Sequence, residues 1–500
     1  MYIGYDIKNG IKYAKVCTGK RVDGKVVTTQ KSLGRVLDEA AGIYQSRERG
    51  VFTFNVETGE YGIPDASFVP NGTRRKNARE KLILNFGDAF VLDEYIGRAG
   101  MWDVADSLGY GNPDTLRCMI LYYILENRSN QLAQAWHEGS YASVRYPKAN
   151  LTSQRISDLL SAVGDEGSQR AFFAEYFKLV GSRPGGEKVI IDSTGLPNSI
   201  HFPLTAVSNH NGKISNEVRL IYVVQQGTNL PLFFRHVPGN VIDVSTLIRT
   251  IAELKAHGID TKFAILDAGY LTQDNLRELY EHKVSFLSRL QENRNDYREL
   301  KAEHLGSLES KEHLVEYNSR YVYVKRVRAT IMGQQAYAYI CRDMAMRNIE
   351  SSKLLDRAKA QGMTTDEVFD AMEDQGVFIL YSSRPIRTMD VLEKYYIRQQ
   401  IEQVFDICKN NTNLLPLRVH SEDTFRGHLV LAFIASVIVK MLQDSLKKSG
   451  CSVNMALYNL GLQHCKVFDD VVLPCEPVKK VNDILKTLKI KYPLEISTVS

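Results

Sequence analysis

The chain has 500 residues and a net charge of +5, and 44% of its residues are hydrophobic, 24% charged and 9% aromatic. This composition is typical of a globular protein and excludes a largely disordered or fibrous chain. Because a single hydrophobic core stops growing at roughly 250 to 300 residues, the length predicts three or four modules.

The cysteines and the apolar segments indicate the compartment. Seven cysteines, an odd number without a Cys-x-x-Cys pair, argue against a disulfide framework and against a structural zinc site. The first residues lack the basic and apolar pattern of a secretory signal. The longest apolar run, Leu429 to Val439, is shorter than the roughly 20 residues that span a bilayer. We therefore expect a cytoplasmic protein without a membrane segment, in which this run is a buried helix.

Residues 1–84 are predicted to form β-hairpins followed by a basic linker. Alternating apolar residues surround the turn dipeptides Asn9-Gly10 and Asp23-Gly24, which are hairpin signals. Residues 1–82 contain 15 Lys and Arg against 9 Asp and Glu, and the rest of the chain is close to neutral. Arg74, Arg75 and Lys76 belong to the densest basic cluster. We assign them to DNA phosphates, although a solvated linker explains the charge equally well.

Residues 85–182 have a helical period. Leu116, Met119, Ile120 and Tyr123 share one stripe, and a second amphipathic segment starts at Thr152 or Ser153 and stops at Gly164. Short helices of this kind favour a helix-turn-helix-like DNA-binding domain. An all-helical spacer domain fits the same pattern.

Apolar runs after the Pro184-Gly185-Gly186 break predict an α/β sheet. Strands are expected at the five runs Lys188 to Asp192, Val218 to Gln225, Pro231 to Val237, Phe263 to Asp267 and Val284 to Leu290, with a helix over Ser245 to His257. We expect residues 183–298 to form the first part of a catalytic core. A β-rich insertion subdomain follows over 299–375, the second part of the core over 376–445, and a C-terminal region over 446–500.

Two acids follow apolar runs of this sheet. Asp192 and Asp267 are each expected at a strand end, where open α/β sheets bind ligands. An Asp that caps a turn after a strand explains either residue alone. Two such positions together favour a shared site.

A third acid lies in the pattern Tyr395-x2-Arg398-x3-Glu402-x6-Lys409, which we expect on one helix beginning near Asp390. At about 100° per residue, Arg398, Glu402 and Lys409 fall within one 60° sector, opposite an apolar face. An ordinary i,i+4 ion pair between Arg398 and Glu402 explains those two residues but not Lys409 or Tyr395.

Three carboxylates around one point would repel each other unless cations neutralised them. Hard oxygen ligands select Mg²⁺, with Mn²⁺ as a substitute. Two ions roughly 3.5 to 4 Å apart support in-line displacement at phosphorus, which is phosphodiester chemistry. Arg398 and Lys409 would then grip phosphates beside the metals, with Tyr395 near the scissile phosphate.

The four-residue pattern resembles the signature of RNase H-like DDE transposases of bacterial insertion sequences, specifically the insertion-sequence-four superfamily. Ile191-Asp192-Ser193-Thr194-Gly195 and Leu266-Asp267-Ala268-Gly269-Tyr270 are similar to the acid motifs of that family. The resemblance implies a fold with an RNase H-like core interrupted by the β-rich insertion. It also implies that Asp192, Asp267 and Glu402 are the catalytic, metal-binding acids, with two Mg²⁺ ions per active site.

By the same resemblance, the protein binds double-stranded DNA at the transposon ends and in the target. A homodimer would bridge both ends, hydrolyse DNA and join the freed 3′-hydroxyl groups to target DNA, in association with the bacterial nucleoid. Some relatives stack a flipped base on a tryptophan of the insertion, but Trp102 and Trp136 lie outside it. Four insertion tyrosines are candidates for that stacking: Tyr321, Tyr323, Tyr337 and Tyr339.

Two alternatives remain open from the sequence. One is a metal-dependent DNA endonuclease without strand transfer, and the other is a domesticated DNA-binding protein with an inactive site. A further DNA contact is assigned to Arg426, which we place between the Glu402 helix and the apolar helix. Helix capping explains Arg426 equally well.

Overall fold

The structure is a computed structural model of the chain. It describes residues 1–8, 11–22, 25–64, 83–181, 188–198, 205–210, 213–241, 246–270, 272–410, 412, 414–417, 419, 421–468 and 471–497. The chain divides into two compact units, Met1–Leu82 and Ile83–Ser500, and this division lies near the predicted boundary at residue 84. The predicted boundaries at residues 182, 298, 375 and 445 fall inside the second unit.

The first unit is an antiparallel sheet whose strands pair in chain order. Its strands within the described residues are β1 Tyr2–Lys8, β2 Ile11–Val22, β3 Lys25–Asp38, β4 Ile43–Ser46, β5 Gly50–Phe54 and β6 Tyr61–Gly62. Leu33, Tyr44 and Phe52 belong to its small core. The predicted hairpins β1–β2 and β2–β3 are confirmed. The turn dipeptides and the basic cluster with Arg74, Arg75 and Lys76 lie outside the described residues.

The second unit starts with a short strand and a group of helices. They are β7 Ile83–Asn85, α1 Gly87–Arg98, α2 Met101–Asp106, α3 Pro113–Leu125, α4 Ala133–Gly139, α5 Ala142–Arg145, α6 Ser153–Val163 and α7 Glu166–Gly181. The helix α6 begins after Thr152 and ends before Gly164, as predicted. Its apolar stripe is buried, which is why it packs against the rest of the unit.

A large mixed sheet follows. Its strands are β8 Lys188–Pro197, β9 Ala206–His210, β10 Lys213–Gln225, β11 Pro231–Pro238, β12 Phe263–Leu266, β13 Ser285–Arg289, β14 Leu314–Tyr317, β15 Arg320–Ile331, β16 Gln334–Asp343 and β17 Val377–Ser382. Their order is β11-β10-β8-β12-β13-β17-β16-β15-β14, and β9 also pairs with β10. The strands β12 and β13 run parallel to β8, whereas β10 and β11 alternate in direction.

The predicted insertion is β-rich, but it does not interrupt the sheet as expected. Its strands β14, β15 and β16 continue the same sheet through β17, which pairs with β13 on its other side. Sequence periodicity reports which faces are buried but not which strand edges meet, so this continuity was missed. The helices along this part of the chain are α8 Leu247–Ala256, α9 Gln273–Glu281, α10 Asn295–His304, α11 Met344–Gln361 and α12 Thr365–Glu373.

The remaining elements are α13 Thr388–Tyr396, α14 Gln399–Asn410, α15 Glu422–Leu446, α16 Val453–Gly461, β18 His464–Val467, β19 Val471–Pro474, α17 Lys479–Leu488 and β20 Ile496–Ser497. The long helix α15 crosses α6 closely: a Cβ atom on Gly427 would lie 1.9 Å from the Leu160 carbonyl oxygen. This contact requires glycine. By length and composition the segment Glu422–Ser449 could cross a membrane, but 83% of its most apolar stretch is buried inside the protein, as in a core helix.

Candidate active site

The two predicted aspartates lie side by side in the sheet. The parallel strands β8 and β12 pair up to Ile191 and Leu266, and Asp192 and Asp267 are the residues that follow this last pair in the chain. Neighbouring strands are about 4.8 Å apart, so the two residues start from adjacent backbone positions. The structure thus brings together two acids that are distant in the chain.

Asp192 is not at a strand end, which corrects the sequence-based expectation. The strand β8 continues to Pro197 because β10 pairs with it along this whole stretch, with Tyr222 opposite Asp192. Only β12 stops, at Leu266, so Asp267 alone follows a strand directly. From Asp192 onward, β8 is therefore no longer paired with β12. This leaves room for side chains beside both acids.

Arg398 places one positive charge beside this pair of acids. Its guanidinium donates to the Asp267 carboxylate in a short ion pair, in which the Arg398 side chain is 20% exposed and the Asp267 side chain 44%. Burial disfavours the charged guanidinium, but the nearby Asp192 and Asp267 carboxylates outweigh that effect and raise the pKa of Arg398. The Arg398 guanidinium therefore already supplies a positive charge beside the two carboxylates, where their mutual repulsion favours a cation.

The signature segment is not one helix, contrary to the prediction. A turn at Ile397 and Arg398 separates α13 from α14, and the Ile401 amide donates to the Arg398 carbonyl in a tight i,i+3 bond of 2.9 Å. On the α13 side, Tyr396 stacks on Tyr317 of β14 with ring centroids 5.2 Å apart. On the other side, α14 packs against α15 and β8. The break therefore lies between two different packing contacts, that of α13 with β14 and that of α14 with α15 and β8.

Tyr395 lies on the buried side of this break rather than on an open face. It is 9% exposed. Burial is the largest cause of its raised pKa, which Arg398 opposes and Asp267 supports. The phenol is therefore neutral at physiological pH and close enough to feel the charges of the site.

Glu402 and Lys409 lie on α14. The Lys409 ammonium donates to the Thr194 hydroxyl at 2.6 Å, two residues beyond Asp192 on β8. Seven residues separate Glu402 from Lys409, which places both on nearly the same helix face, about 20° apart. The Glu402 side chain is exposed. Among the described residues, Arg398 pairs with Asp267 rather than with Glu402, so the simple i,i+4 pair is not formed.

The three acids are not assembled into a metal site in this structure. Among the described residues, no group of three or more His, Cys, Asp or Glu side chains is close enough to hold a metal ion. The two aspartates do fit a divalent cation, because both supply hard oxygen ligands and already share a positive charge. Glu402 lies between Arg398 and Lys409 along the chain, and among the described residues it does not form a metal-binding group with the two aspartates.

The other predicted contacts have different surroundings. Arg426 lies inside α15, not before it, and its guanidinium pairs with Glu422 one turn earlier, so it does not cap the helix. Tyr339 is fully buried and donates to the Ile386 carbonyl at 3.0 Å, which removes it as a stacking candidate. Tyr321 is 54% exposed.

Arg289 was missed by the sequence analysis. It is the last residue of β13, two positions beyond the Ile265–Leu287 pair, and Asp267 is two positions beyond the same pair on β12. Its charge also lowers the pKa of Tyr395, although burial dominates that group. The available signal was the basic residue near the end of the predicted strand Val284 to Leu290.

Comparison with known proteins gives one family. The family model described as a transposase DDE domain matches residues 183–438, just over half of the chain. A cryo-EM structure of the piggyBac transposase synaptic complex with hairpin DNA is similar at 11% identity and a TM-score of 0.38, over 75% of this chain and 78% of that chain. That likeness is too low to carry a statement about fold or function. A search of curated proteins found no match.

Proposed function

Because this chain belongs to the family of the transposase DDE domain, we propose that it is a DNA transposase of an insertion sequence. It binds the ends of the element, cleaves DNA by two-metal phosphodiester hydrolysis and joins the 3′-hydroxyl ends to target DNA. The observation that carries this proposal is the adjacent pair Asp192 and Asp267, bridged by the charge of Arg398 within the matched range.

In this proposal β8 to β13, together with residues 376–445 that contain β17 and the Glu402 helix, form an RNase H-like catalytic core. The parallel register of β8 and β12 supports it, since that register gives the two acids a common edge. Asp192, Asp267 and Glu402 would hold Mg²⁺ or Mn²⁺, two ions per site. Bound there, the ions supply activation of the attacking oxygen and stabilisation of the leaving oxygen at phosphorus.

Assembly of the site requires two movements of side chains. The guanidinium of Arg398 must leave Asp267 so that the carboxylate can accept another cation, and Glu402 must approach the aspartates. A DNA phosphate offers Arg398 a bidentate partner of the same geometry as a carboxylate. We therefore infer that DNA binding draws Arg398 away and makes the acids available together.

The other signature residues orient the substrate. Lys409 reaches the edge of β8 beside Asp192, where an ammonium can hold a phosphate as a point charge. Tyr395 remains a neutral, buried phenol, and the Arg398 guanidinium lies over its ring, 6.0 Å from the ring centroid. Double-stranded DNA is the proposed partner, a homodimer the proposed assembly, and the bacterial nucleoid the proposed location.

The proposal is tested by incubating the protein with DNA that carries the sequences flanking its own gene, a labelled target DNA and Mg²⁺. We expect cleavage at the boundary of the inverted repeats and covalent transfer of the 3′ ends to the target. Cleavage without transfer would support an endonuclease instead. DNA binding without cleavage would support a DNA-binding protein, and cleavage that survives Asp192→Asn would contradict the assigned site.

A further inference from the structure

A basic groove is formed by part of the region predicted as the insertion, residues 299–375, and by residues of the predicted core on either side of it. It has a volume of about 590 Å³, and its walls are α10 and α11, with the start of β17 as part of its floor. Five cations line it: Arg289, Arg298, Lys301, Lys353 and Arg357. We call this feature the insertion groove.

The insertion groove opens at the same edge of the sheet as the aspartates. Arg289 ends β13 at the level where Asp267 follows β12, so one strand spacing of about 4.8 Å separates their backbones. The strand β17 pairs antiparallel with β13, with Leu380 opposite Arg289. Val377 of β17, which lines the groove, therefore lies three residues farther out from that edge. The groove continues outward from the catalytic edge.

The acids of the insertion groove are already engaged. Glu292 accepts from Arg289 at 2.8 Å, Asp374 accepts from Lys301 at 2.9 Å, and Glu350 accepts from the Gly376 amide at 2.6 Å. Glu292 and Asp374 are paired with cations, so Arg298, Lys353 and Arg357 face one remaining negative charge, that of Glu350, and the groove keeps a net positive charge. All three are exposed, and none of them forms an ion pair with another residue that the structure describes.

The helical spacing directs these cations into one channel. Lys353 and Arg357 are four residues apart on α11, so they lie one turn apart on the same face. Arg298 and Lys301 are three residues apart on α10 and share a face in the same way. Two facing rows of long cationic side chains fit a polyanion that runs along the groove, whereas a small ligand would need a closed pocket.

We propose that the insertion groove binds the phosphodiester backbone of the DNA strand that passes Asp192 and Asp267. The inference rests on the proposed function, because it takes the DNA at the catalytic edge as the occupant. The cations contact non-bridging phosphate oxygens, so this contact positions the strand and adds no sequence preference. It gives Arg298, Lys353 and Arg357 a role in substrate binding that the sequence analysis did not assign to them.

The test compares two triple variants of equal charge. Arg298→Gln with Lys353→Gln and Arg357→Gln neutralises the groove. Lys255→Gln with Lys262→Gln and Lys283→Gln removes the same charge from exposed lysines near the opposite ends of β12 and β13. Each protein is titrated by fluorescence anisotropy with a labelled duplex of arbitrary sequence, and separately with a labelled single strand, at several salt concentrations.

We expect the groove variant to lose about tenfold or more in DNA affinity and to reduce the slope of log affinity against log salt by roughly two to three, while the control variant retains both. A stronger loss with the single strand than with the duplex would identify the separated strand as the occupant. Equal losses in the groove and control variants would overturn the proposal. So would competition for the groove by polyglutamate as strong as by DNA, since that result would mean that any polyanion fits.

Failure of this proposal is distinguishable from failure of the proposed function. If the wild-type protein cleaves and joins end DNA but the groove variant has an unchanged salt slope, only the proposal for the insertion groove is contradicted. If the wild-type protein binds DNA through the groove but does not cleave end DNA, the transposase proposal is contradicted and the proposed DNA binding by the groove is retained.

Discussion

Two Arg–Asp ion pairs in the second unit differ in which of the two side chains is exposed to solvent. In the helical region, Arg145 donates to Asp93 at 2.8 Å, and the arginine side chain is 50% exposed while the aspartate side chain is 6% exposed. At the sheet edge, the arginine of the Arg398–Asp267 pair is the more buried partner and the aspartate is 44% exposed.

The two aspartates also differ in their other donors. Asp93 accepts from the Trp102 indole at 2.9 Å and from the Tyr146 hydroxyl, in addition to Arg145. Its lone pairs are used by three fixed donors, which is how a buried carboxylate is tolerated. Among the described residues, the one side-chain donor to the Asp267 carboxylate is Arg398, and this carboxylate is 44% exposed. The comparison teaches that a structural acid is saturated with donors, whereas a candidate metal ligand remains accessible to another cation.

The largest expected effect is on catalysis. Asp267→Asn keeps the shape of the side chain but removes the charge that would bind the metal, so we expect cleavage of end DNA to fall by about 10³-fold or more. The rate is measured with labelled end DNA and Mg²⁺. Thermal unfolding serves as the control and should change little, because Asp267 is partly exposed. A variant that keeps its activity would show that Asp267 is not the metal ligand that distinguishes it from Asp93.

The next effect is on stability. Asp93→Asn leaves Arg145, Trp102 and Tyr146 with a poorer acceptor, and we expect the free energy of unfolding to fall by about 2 to 3 kcal/mol, less than for a fully buried pair because Arg145 is half-exposed. Urea denaturation measures it. The folded variant should cleave DNA at the wild-type rate. A loss of activity without a loss of stability would mean that Asp93 is not a structural acid.

A smaller effect is expected on metal affinity. Arg398→Gln removes the cation that competes for Asp267, so the DNA-free protein should bind Mn²⁺ about tenfold more tightly, a change of about 1.4 kcal/mol. Electron paramagnetic resonance of free Mn²⁺ gives the affinity without any cleavage reaction. Arg145→Gln is the matched control and should leave Mn²⁺ affinity unchanged. Unchanged affinity in both variants would contradict the exchange of cations proposed for Arg398.

The smallest effect is expected at Lys409. Its ammonium donates to the Thr194 hydroxyl, two residues beyond Asp192 on β8, and we propose that it binds a DNA phosphate at this position. Lys409→Met should weaken DNA binding about fivefold and reduce the salt slope by about one. Anisotropy titrations measure both quantities, and Lys409→Arg, which keeps the charge, should restore most of the affinity. A loss that the arginine does not restore would indicate a packing role instead.

The sequence predicted much of the second unit because its strands are short apolar runs. The expected strands at Val218 to Gln225, Pro231 to Val237 and Phe263 to Asp267 match β10, β11 and β12 within a few residues. Burial of a central strand on both faces leaves a continuous apolar run in the sequence, which is why these elements were readable. The same reasoning identified the long buried helix α15.

The errors share one physical cause, which is that pairing and packing between distant segments leave no local pattern. The extension of β8 beyond Asp192 depends on β10, and the break between α13 and α14 depends on Tyr317 and β8. The partner of Arg398 was likewise unpredictable, because a helical spacing offers Glu402 while the fold offers Asp267.

We propose that Asp192, Asp267 and Glu402 converge on shared divalent ions once DNA is bound. The most direct measurement is anomalous diffraction from a Mn²⁺-soaked crystal of the protein with end DNA. We expect Mn²⁺ peaks beside the carboxylates of Asp192, Asp267 and Glu402, with Arg398 bound to a DNA phosphate. Peaks at other residues, or Arg398 still paired with Asp267 beside bound DNA, would contradict it.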